Sequence, residues 1–477
     1  MTEVVGSFWM LGQLTEQFGI VRFPEHRAYR NLLLARLISA LGTWTAFYAV
    51  RIALYQQTGS AWWVSILLFS ELLPGVILGL AVGPLIDRWP RQRMMIFSDL
   101  GGALAFGALP FVHSPAGICA ISAFAGFSAA FFRPGCYAAI PNLVREDSLL
   151  AANSLMQAAE NIATLAGPVL AGLGIVLLGS STVYTINAIS FLLSALLLVR
   201  IGNRLQSRVA ARIGRTHWRE VRAGLSFVRN DLHLSSIFLI WSWATLAYTG
   251  INVAEIVLTT DAYGVGSTGF GVFVAFSAAG IVIGNVIAIP FINRLTVYGG
   301  YRASFLVTAV GVAICAVSPG LTLGLVGAVI FGAGNGIGLV CNVTLIQQVV
   351  SDDRRGQIFA VLGSLVQTFT LIGTLAAGPL TESLGPRPVW AISAVLLVLG
   401  YVNAVVVTAR RRSGEGRDTP PGTKPIRIEA GGETPGSAFE RIATLLDEVE
   451  RTRESEGEAR LSRRRTRGSG AANAPPP

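Results

Sequence analysis

The sequence predicts an all-α membrane protein of twelve transmembrane helices, arranged as two six-helix bundles and followed by a disordered cytoplasmic C-terminal tail. Three observations predict it. The 477 residues are 52% hydrophobic and only 13% charged, with a mean hydropathy of +0.57. Twelve apolar runs reach the roughly 20 residues that a helix needs to cross a bilayer. The two halves of the chain also repeat one another. This composition excludes a disordered chain and disfavours a water-soluble enzyme.

The apolar runs follow one another with little polar sequence between them. Only His113 to Gly117 separate the third run from the fourth, and only Ser318 to Gly320 separate the ninth from the tenth. Joints this short predict tight helical hairpins. The predicted spans are 30–55, 61–86, 94–113, 115–138, 151–179, 182–200, 234–260, 267–292, 302–319, 321–349, 357–382 and 387–409.

The placement of the arginines predicts the orientation of these spans. With one exception, Arg387, the arginines between spans lie on the side that also holds both chain ends. Cytoplasmic loops of membrane proteins carry an excess of arginine and lysine. We therefore expect a multi-pass protein of the plasma membrane with both termini in the cytoplasm. Trp62 and Trp63 lie where the second span enters from outside, as interfacial aromatic residues do.

The second half of the chain repeats the first at an offset of 206 residues. This offset places Ile86–Arg88 on Ile292–Arg294 and Val144–Asp147 on Val350–Asp353. Parallel repeats in membrane proteins are related by an axis along the membrane normal and enclose a central cavity. The expected organisation is a cytoplasmic segment at 1–29, a first bundle at 30–200, a central cytoplasmic loop at 201–233, a second bundle at 234–409 and a tail at 410–477. The tail is expected to be disordered because it is rich in Pro, Gly, Ser and charged residues.

Several classes of function are disfavoured. The net charge of +10 comes from arginines between apolar runs, without a basic patch that interleaves aromatic residues, so no nucleic-acid partner is expected. No clustered histidines or paired acids at helical spacing indicate catalysis, and the missing Walker pattern argues against ATP as the energy source. No cofactor is predicted. Neither a metal site nor a disulfide is expected from four isolated cysteines, Cys119, Cys136, Cys315 and Cys341.

The joint between the second and third spans carries a recognisable pattern. Residues 83–93 read GPLIDRWPRQR and resemble the signature loop of the major facilitator superfamily. The run Phe131–Pro141, followed by Ala-Ala-Asn at 151–153, resembles the drug/proton antiporter branch that contains macrolide efflux pumps and enterobactin exporters. The resemblance covers about residues 23–409. It implies the major facilitator fold.

The resemblance implies that this loop is a gate, which braces the two bundles in the outward-open form and releases as they rock inward. Asp87 can accept hydrogen bonds from a helix N-terminus, while Arg88 and Arg91 hold positive charge at the inner surface. Gly83 permits the close approach of a neighbouring helix. The matching loop keeps Arg294 but has asparagine in place of the acid, which predicts a weaker gate. A solvated turn with positive charges is the alternative.

The fifth span carries Gly167-Pro168, which is similar to the antiporter motif of the superfamily, although incomplete. Proline inside a helix frees a carbonyl and bends the helix. Gly167, Ala171 and Gly174 form a small face for a neighbouring helix. The resemblance implies export rather than uptake, although glycine and proline are frequent in membrane helices in general.

Ionisable residues inside spans cost on the order of 2.5–3.5 kcal/mol at a helix centre, and they are therefore candidates for function. Glu160 lies about two turns into the fifth span beside Asn161, with no opposite charge within a turn of its own helix. A buried acid favours the protonated form, as a proton carrier requires. We interpret Glu160 as a proton or substrate site. The alternative is a structural pair with an arginine of another helix; the embedded bases are Arg36, Arg51 and Arg133.

The other embedded acids have competing interpretations. Asp99, near the inner end of the third span, is expected to pair with Arg133 or to extend the gating loop. Glu71 faces either the cavity or a partner such as Arg51. Glu255, near the outer end of the seventh span, is expected to be wetted at the outer mouth. We therefore group Asp99 and Arg133 with the gate, and Glu71 with the candidates for proton coupling.

One departure from the branch pattern affects the coupling residue. The branch has an acid after Leu-Gly in its first helix, where this chain has threonine and Trp44. Coupling must then use another group, Glu160 or Glu71, or be absent. Groups that could line a cavity for bulky amphiphiles are Trp44, Phe47, Tyr48, Trp241, Trp243, Tyr248, Asn335, Asn342, Gln347, Gln348 and Gln367.

The residues and the resemblance together predict a secondary transporter. It is expected to export a hydrophobic or amphiphilic small molecule, of the drug, macrolide or siderophore type, by alternating access in exchange for protons. The alternatives are a proton symporter or facilitated uptake carrier, and a non-transporting receptor or scaffold on the same fold. The expected partners are the small-molecule substrate, protons and the lipid bilayer. The protein is expected to be a monomer.

Overall fold

The computed structural model describes residues 27–81, 90–145, 148–202, 232–349 and 352–414. These ranges contain α-helices and no β-strand, which confirms the all-α prediction. The predicted N-terminal segment before residue 27, most of the central loop and the tail beyond residue 414 lie outside them. The long helices are α1 (Arg27–Thr58), α2 (Ala61–Ala81), α3 (Arg91–Ala108), α4 (Pro115–Ala129), α5 (Leu149–Leu178), α6 (Ser180–Ile201), α7 (Leu232–Val257), α8 (Gly266–Leu295), α9 (Val297–Val317), α10 (Leu321–Val349), α11 (Asp352–Leu384) and α12 (Pro386–Gly414).

The surface of these helices suits a lipid environment. Ten helical segments in the described ranges are long and apolar enough to cross a membrane, and one of them, Pro115–Asn142, comprises α4 and the short helices after it. Neither α7 nor α11 is among the ten. Large apolar side chains point outward, as Leu104, Leu177 and Val286 do with 67%, 75% and 69% of their surface exposed. Exposed apolar surface of this extent indicates contact with a membrane. The protein is therefore a multi-pass membrane protein.

The helix contacts repeat between the two halves. In the first half, α1 packs against α5 and α6, α3 against α4 and α6, and α2 against α4. In the second half, α7 packs against α11 and α12, α9 against α10 and α12, and α8 against α10. Each pair recurs six helices later. Two six-helix bundles of the same internal packing are therefore present, as the repeated sequence predicts.

Two hairpin joints repeat as well. Gly179 connects α5 to α6 with a φ of 79°, and Gly385 connects α11 to α12 with a φ of 84°. Glycine adopts positive φ readily because it has no Cβ. The two glycines are 206 residues apart, which is the offset at which the two halves of the sequence match. The tight turns are therefore part of the repeat.

The fourth predicted span is not one helix. After α4 ends at Ala129, a short helix follows at Phe132–Ala139. Pro134 has no N–H to donate to the carbonyl four residues back, and its ring clashes with that turn. Proline is tolerated in the first turn of a new helix, which is the position it occupies here. The break places Phe132 and Arg133 on a segment of their own.

The α8–α10 contact in the second bundle depends on glycine. A Cβ at Gly284 would strike the carbonyl of Ala333, and a Cβ at Gly332 would strike the carbonyl of Ser277. Small residues allow helix backbones to approach closely in a membrane, where packing drives helix association.

We expect Gly284→Ala to lower the stability of the protein, because the methyl group must push two backbones apart; overpacking costs about 1–3 kcal/mol. The measurement is the thermal unfolding midpoint in detergent. Gly363→Ala on α11 is the matched control, since a Cβ there meets nothing within 4 Å, and alanine favours a helix over glycine. A midpoint for Gly284→Ala equal to or above that of Gly363→Ala would contradict the prediction.

Candidate functional site

The helices have two ends, which we name by their arginines. The arginine-poor end contains the joints at Gly59, Gly179 and Gly385. The arginine-rich end is opposite, where α1 begins at Arg27 and α3 at Arg91.

Hydrogen bonds join the two bundles at the arginine-poor end. Glu382, near the end of α11, accepts hydrogen bonds from the Ser60 hydroxyl and from the backbone N–H of Trp62 at 3.1 Å, where α2 begins. A carboxylate at a helix N-terminus satisfies free N–H groups and the helix dipole. The Tyr55 hydroxyl of α1 donates to Asp261, which follows α7, at 2.6 Å. These polar contacts close this end between the bundles.

Close helix packing completes the closure, which we call the seal. The Ser65 hydroxyl of α2 donates to the carbonyl of Thr374 on α11. On the other side, α5 packs against α8 through Gly172 and Gly271. A Cβ at Gly271 would lie 2.8 Å from the carbonyl oxygen of Pro168. The pair α2–α11 is related to the pair α8–α5 by the same shift of six helices that relates the bundles.

The predicted small face of α5 contacts three helices. A Cβ at Gly167 would lie 2.6 Å from the Cβ of Trp44 on α1, and a Cβ at Gly174 would lie 2.9 Å from Val183 on α6. The carbonyl of Pro168 faces α8 of the other bundle. In the second half, Gly378 likewise packs against α2. The Gly-Pro motif and its repeat therefore both lie on the helices that join the bundles.

A cavity of about 610 Å³ lies on the arginine-rich side of the seal, between α2, α11 and the end of α4. Its walls are mainly apolar, and the polar residues that line it are Glu71, Arg133, Gln367 and Thr370. Volumes of this size with few polar groups are typical of sites for small organic molecules. Of the aromatic and amide groups expected at a cavity, Gln367 lines this one, whereas Asn342 is buried.

The first charge cluster lies inside the first bundle. Arg36 of α1 and Glu160 of α5 form an ion pair, with side chains only 15% and 18% exposed. The Trp44 indole N–H donates to the same carboxylate at 3.3 Å, and the Arg36 guanidinium lies 5.4 Å from the ring centre of Phe132. This is the arrangement in which an arginine of another helix pairs with Glu160. Asn161 lies apart from it, exposed.

Asp99 and Arg133 are not brought together. Asp99 is fully buried in α3, and neither of its carboxylate oxygens makes a hydrogen bond. The cation that acts on Asp99 is Arg36. Arg133 is exposed, with its guanidinium 5.9 Å from the ring centre of Tyr137. The expected Asp99–Arg133 pair is therefore wrong, because the helix break at Pro134 places Arg133 at the cavity.

The second charge cluster lies beneath the seal. Arg51 of α1 is 3% exposed, and its guanidinium lies 4.7 Å and 5.0 Å from the ring centres of Phe47 and Tyr48. It acts electrostatically on Glu71 of α2 and on Glu255 of α7. Within the described part of the chain it makes no direct ion pair with either acid. Glu71 therefore lines the cavity and also lies within electrostatic range of Arg51, so both interpretations stay predictions.

Glu255 corrects an expectation. Instead of being wetted at an outer mouth, it is 5% exposed. A turn of π-helix, Leu258–Ala262, follows α7, and the first bundle packs against α7 beside Glu255 through Val253 and Ile256. Distance from a span end does not predict exposure where two bundles close over that end.

The gating loop is described from residue 90 onwards. Gly83, Asp87 and Arg88 lie in the segment 82–89, which the structure does not describe, so their roles stay predictions. Arg91 begins α3, and its guanidinium donates to the carbonyl of Ala138 in the short helix after α4 at 2.6 Å. It therefore ties α3 to that helix.

The fold and the site together indicate a transporter, a membrane protein in which two repeated bundles flank a cavity that is sealed at one end. The family model described as Major Facilitator Superfamily matches residues 32–260 and 240–446. The chain belongs to the major facilitator superfamily. It is a transporter of small molecules and not an enzyme.

Similar proteins include efflux proteins. The chain is 28% identical over 396 residues to the multidrug efflux pump Tap of Mycolicibacterium fortuitum, covering 78% of this chain and 93% of Tap. It is 22% identical over 369 residues to macrolide efflux protein A of Streptococcus pyogenes, covering 73% and 88%. A crystal structure of a bacterial homologue of the iron transporter ferroportin, in its inward-facing state, matches with a TM-score of 0.63 at 19% identity, over 80% of this chain and 99% of that one. This match shows the shared fold.

Proposed function

We propose that this transporter exports a hydrophobic or amphiphilic small molecule by alternating access, in exchange for protons. The cavity carries the proposal, because it combines apolar walls with a few polar groups and lies on one side of a closed seal. Such walls suit bulky amphiphiles. The names of two relatives, a multidrug efflux pump and a macrolide efflux protein, support both the direction of transport and the substrate class.

The orientation follows from the arginines. We place the arginine-rich end and both termini in the cytoplasm, since loops rich in arginine remain on that side. The seal then closes the outer side, and the cavity faces the cytoplasm. A substrate is loaded from inside in this conformation and leaves after the seal opens and the arginine-rich end closes.

The Arg36–Glu160 pair is the proposed switch for protons in the first bundle. As a carboxylate, Glu160 holds Arg36 and so ties α5 to α1. Protonation removes the negative charge and releases Arg36, which changes the contact between the two helices. The side chains remain partly exposed, so a proton can reach them. The membrane potential adds about 2.3 kcal/mol per charge per 100 mV to the driving force.

Inside-out vesicles that contain the full-length protein test this function. We expect ethidium and radiolabelled erythromycin to accumulate when the vesicle interior is acidified, without ATP, and to leak out when nigericin collapses the gradient. The double variant Arg36→Gln/Glu160→Gln removes both charges and leaves no unpaired ion. We expect vesicles with this double variant to take up both compounds only until the inside and outside concentrations are equal.

Arg200→Gln, which makes the same change at an exposed position on α6, is the matched control and should retain accumulation. Accumulation in the parent that does not depend on the pH gradient would refute proton antiport. Gradient-driven accumulation that persists in the double variant would refute the role of the pair. Uphill uptake into right-side-out vesicles would indicate a symporter instead.

A further inference from the structure

Beneath the seal, one arginine lies within electrostatic range of two acids, and both bundles contribute to this cluster. Arg51 and Glu71 belong to α1 and α2 of the first bundle, whereas Glu255 belongs to α7 of the second. The guanidinium acts on both carboxyl groups, and Arg51 and Glu255 are almost fully buried. One arginine therefore faces two acids across the contact between the bundles.

Three polar atoms of this cluster lack hydrogen-bond partners. Nε and Nη1 of Arg51 and Oε2 of Glu71 are buried without a hydrogen bond. The surrounding apolar cluster continues from the first bundle into the second through Val253, Ile256 and Phe270. A buried carboxylate without a counter-charge is strongly disfavoured. One arginine neutralises one acid, and the burial of Arg51 and Glu255 disfavours a second carboxylate beside them.

We propose that Arg51, Glu71 and Glu255 form one proton-binding site shared between the two bundles, which holds a single proton while the arginine-poor end is closed. The two carboxyl groups and the guanidinium then sum to zero charge. The proton belongs to the group of three and not to one acid, because either carboxylate can be the partner of Arg51.

The other titratable groups around the cluster do not supply a second cation. Among the described residues, Tyr48 interacts electrostatically with Arg51 and Glu255, Cys119 of α4 with Glu71, and Cys315 of α9 with Glu255. Tyrosine and cysteine are ordinarily neutral at pH 7. The charged groups of the arginine-poor end make contacts of their own: Asp261 with Tyr55, Glu382 with Ser60 and Trp62, and Arg387 with the ring of Tyr263.

The shared site links a proton to the movement of the bundles, and this step rests on the proposed function. When the seal opens, Glu255 moves away with the second bundle, and Glu71 remains beside Arg51. Glu255 then faces water, where it ionises freely. Closing the seal brings both acids back to one arginine, so closure takes up one proton from the outer side.

Infrared difference spectroscopy of the full-length protein in lipid nanodiscs tests the bound proton without any substrate. The measured signal is the C=O stretch of a protonated carboxyl group at pH 7. We expect Glu71→Gln and Glu255→Gln each to lose the same band, because in either variant Arg51 neutralises the remaining carboxylate. Each variant leaves the cluster with balanced charges, so each should fold.

The double variant Arg36→Gln/Glu160→Gln removes a carboxyl group outside the cluster and should keep the band. Asp99→Asn shows how much the other buried acid contributes to the carboxyl C=O signal. Arg51→Gln should strengthen the carboxyl signal, because both acids then take up protons; its thermal midpoint shows whether it is folded. The shared site is overturned if the band survives in either Glu71→Gln or Glu255→Gln. It is also overturned if the parent shows no carboxyl band that these variants remove. Neither result depends on whether the protein exports ethidium.

Discussion

Arg36→Gln is expected to destabilise the protein by about 3–5 kcal/mol, because it leaves the Glu160 carboxylate without its counter-charge in a mostly buried position. Glu160→Gln leaves Arg36 unpaired in the same way and should have a similar effect. The double variant removes both charges and should recover much of the lost stability. Unfolding in detergent, followed for the parent, both single variants and the double variant, measures the coupling between the two residues.

Arg200→Gln reports the effect of losing an exposed arginine and should change stability by less than about 0.5 kcal/mol. If the effects of the two single variants simply add in the double variant, the pair contributes nothing and the prediction is wrong. A stable double variant that has lost gradient-driven transport would separate the role in coupling from the role in folding.

Gly172→Leu is expected to hold the seal open and to reduce transport at least about tenfold, since conformational steps limit many transport and catalytic cycles. A Cβ at Gly172 already lies 2.9 Å from the carbonyl oxygen of Ser267 on α8, and a leucine has no room there. The two bundles can move apart as units, whereas the packing within each bundle cannot adjust so easily. The substitution therefore favours the conformation in which α5 and α8 separate at this end.

Labelling measures this shift directly. Ser65 is fully buried in the seal, and the four native cysteines are buried as well. Ser65→Cys should therefore resist a membrane-impermeant maleimide in the parent background and react in the Gly172→Leu background. Gly174→Leu is the matched control, because a Cβ at Gly174 strikes Val183 within the same bundle. Equal labelling in both leucine backgrounds, or none with Gly172→Leu, would contradict a seal between the bundles.

Local properties of the sequence predicted most of the fold. Each span must be apolar and about 20 residues long to cross a bilayer, so composition alone located the helices. The matching segments predicted the repeated packing, because similar sequences fold into similar bundles. The exception was the fourth span, where Pro134 divides one apolar run into two helices. Proline marks such a break in the sequence, although hydropathy does not.

The candidate site was predicted less completely. Glu160 was identified because it is a charge inside an apolar run, and the structure places Arg36 of another helix beside it. Trp44, which stands beside the place of the missing acid, proved to be a further partner of Glu160. Its sequence position offered no sign of this contact, since a single helix does not show which of its faces meets a neighbour.

The sequence by itself determined that the chain is a membrane protein of two repeated six-helix bundles, since hydropathy and repetition are properties of the chain that lipid converts into helices and symmetry. Only the tertiary structure decided which charges meet. Arg36 joined Glu160 instead of Arg51 or Arg133, and Glu255 became buried beneath the seal. The physical reason is that a buried charge interacts with whatever lies within a few ångströms, and that distance depends on how helices far apart in the chain rotate and pack.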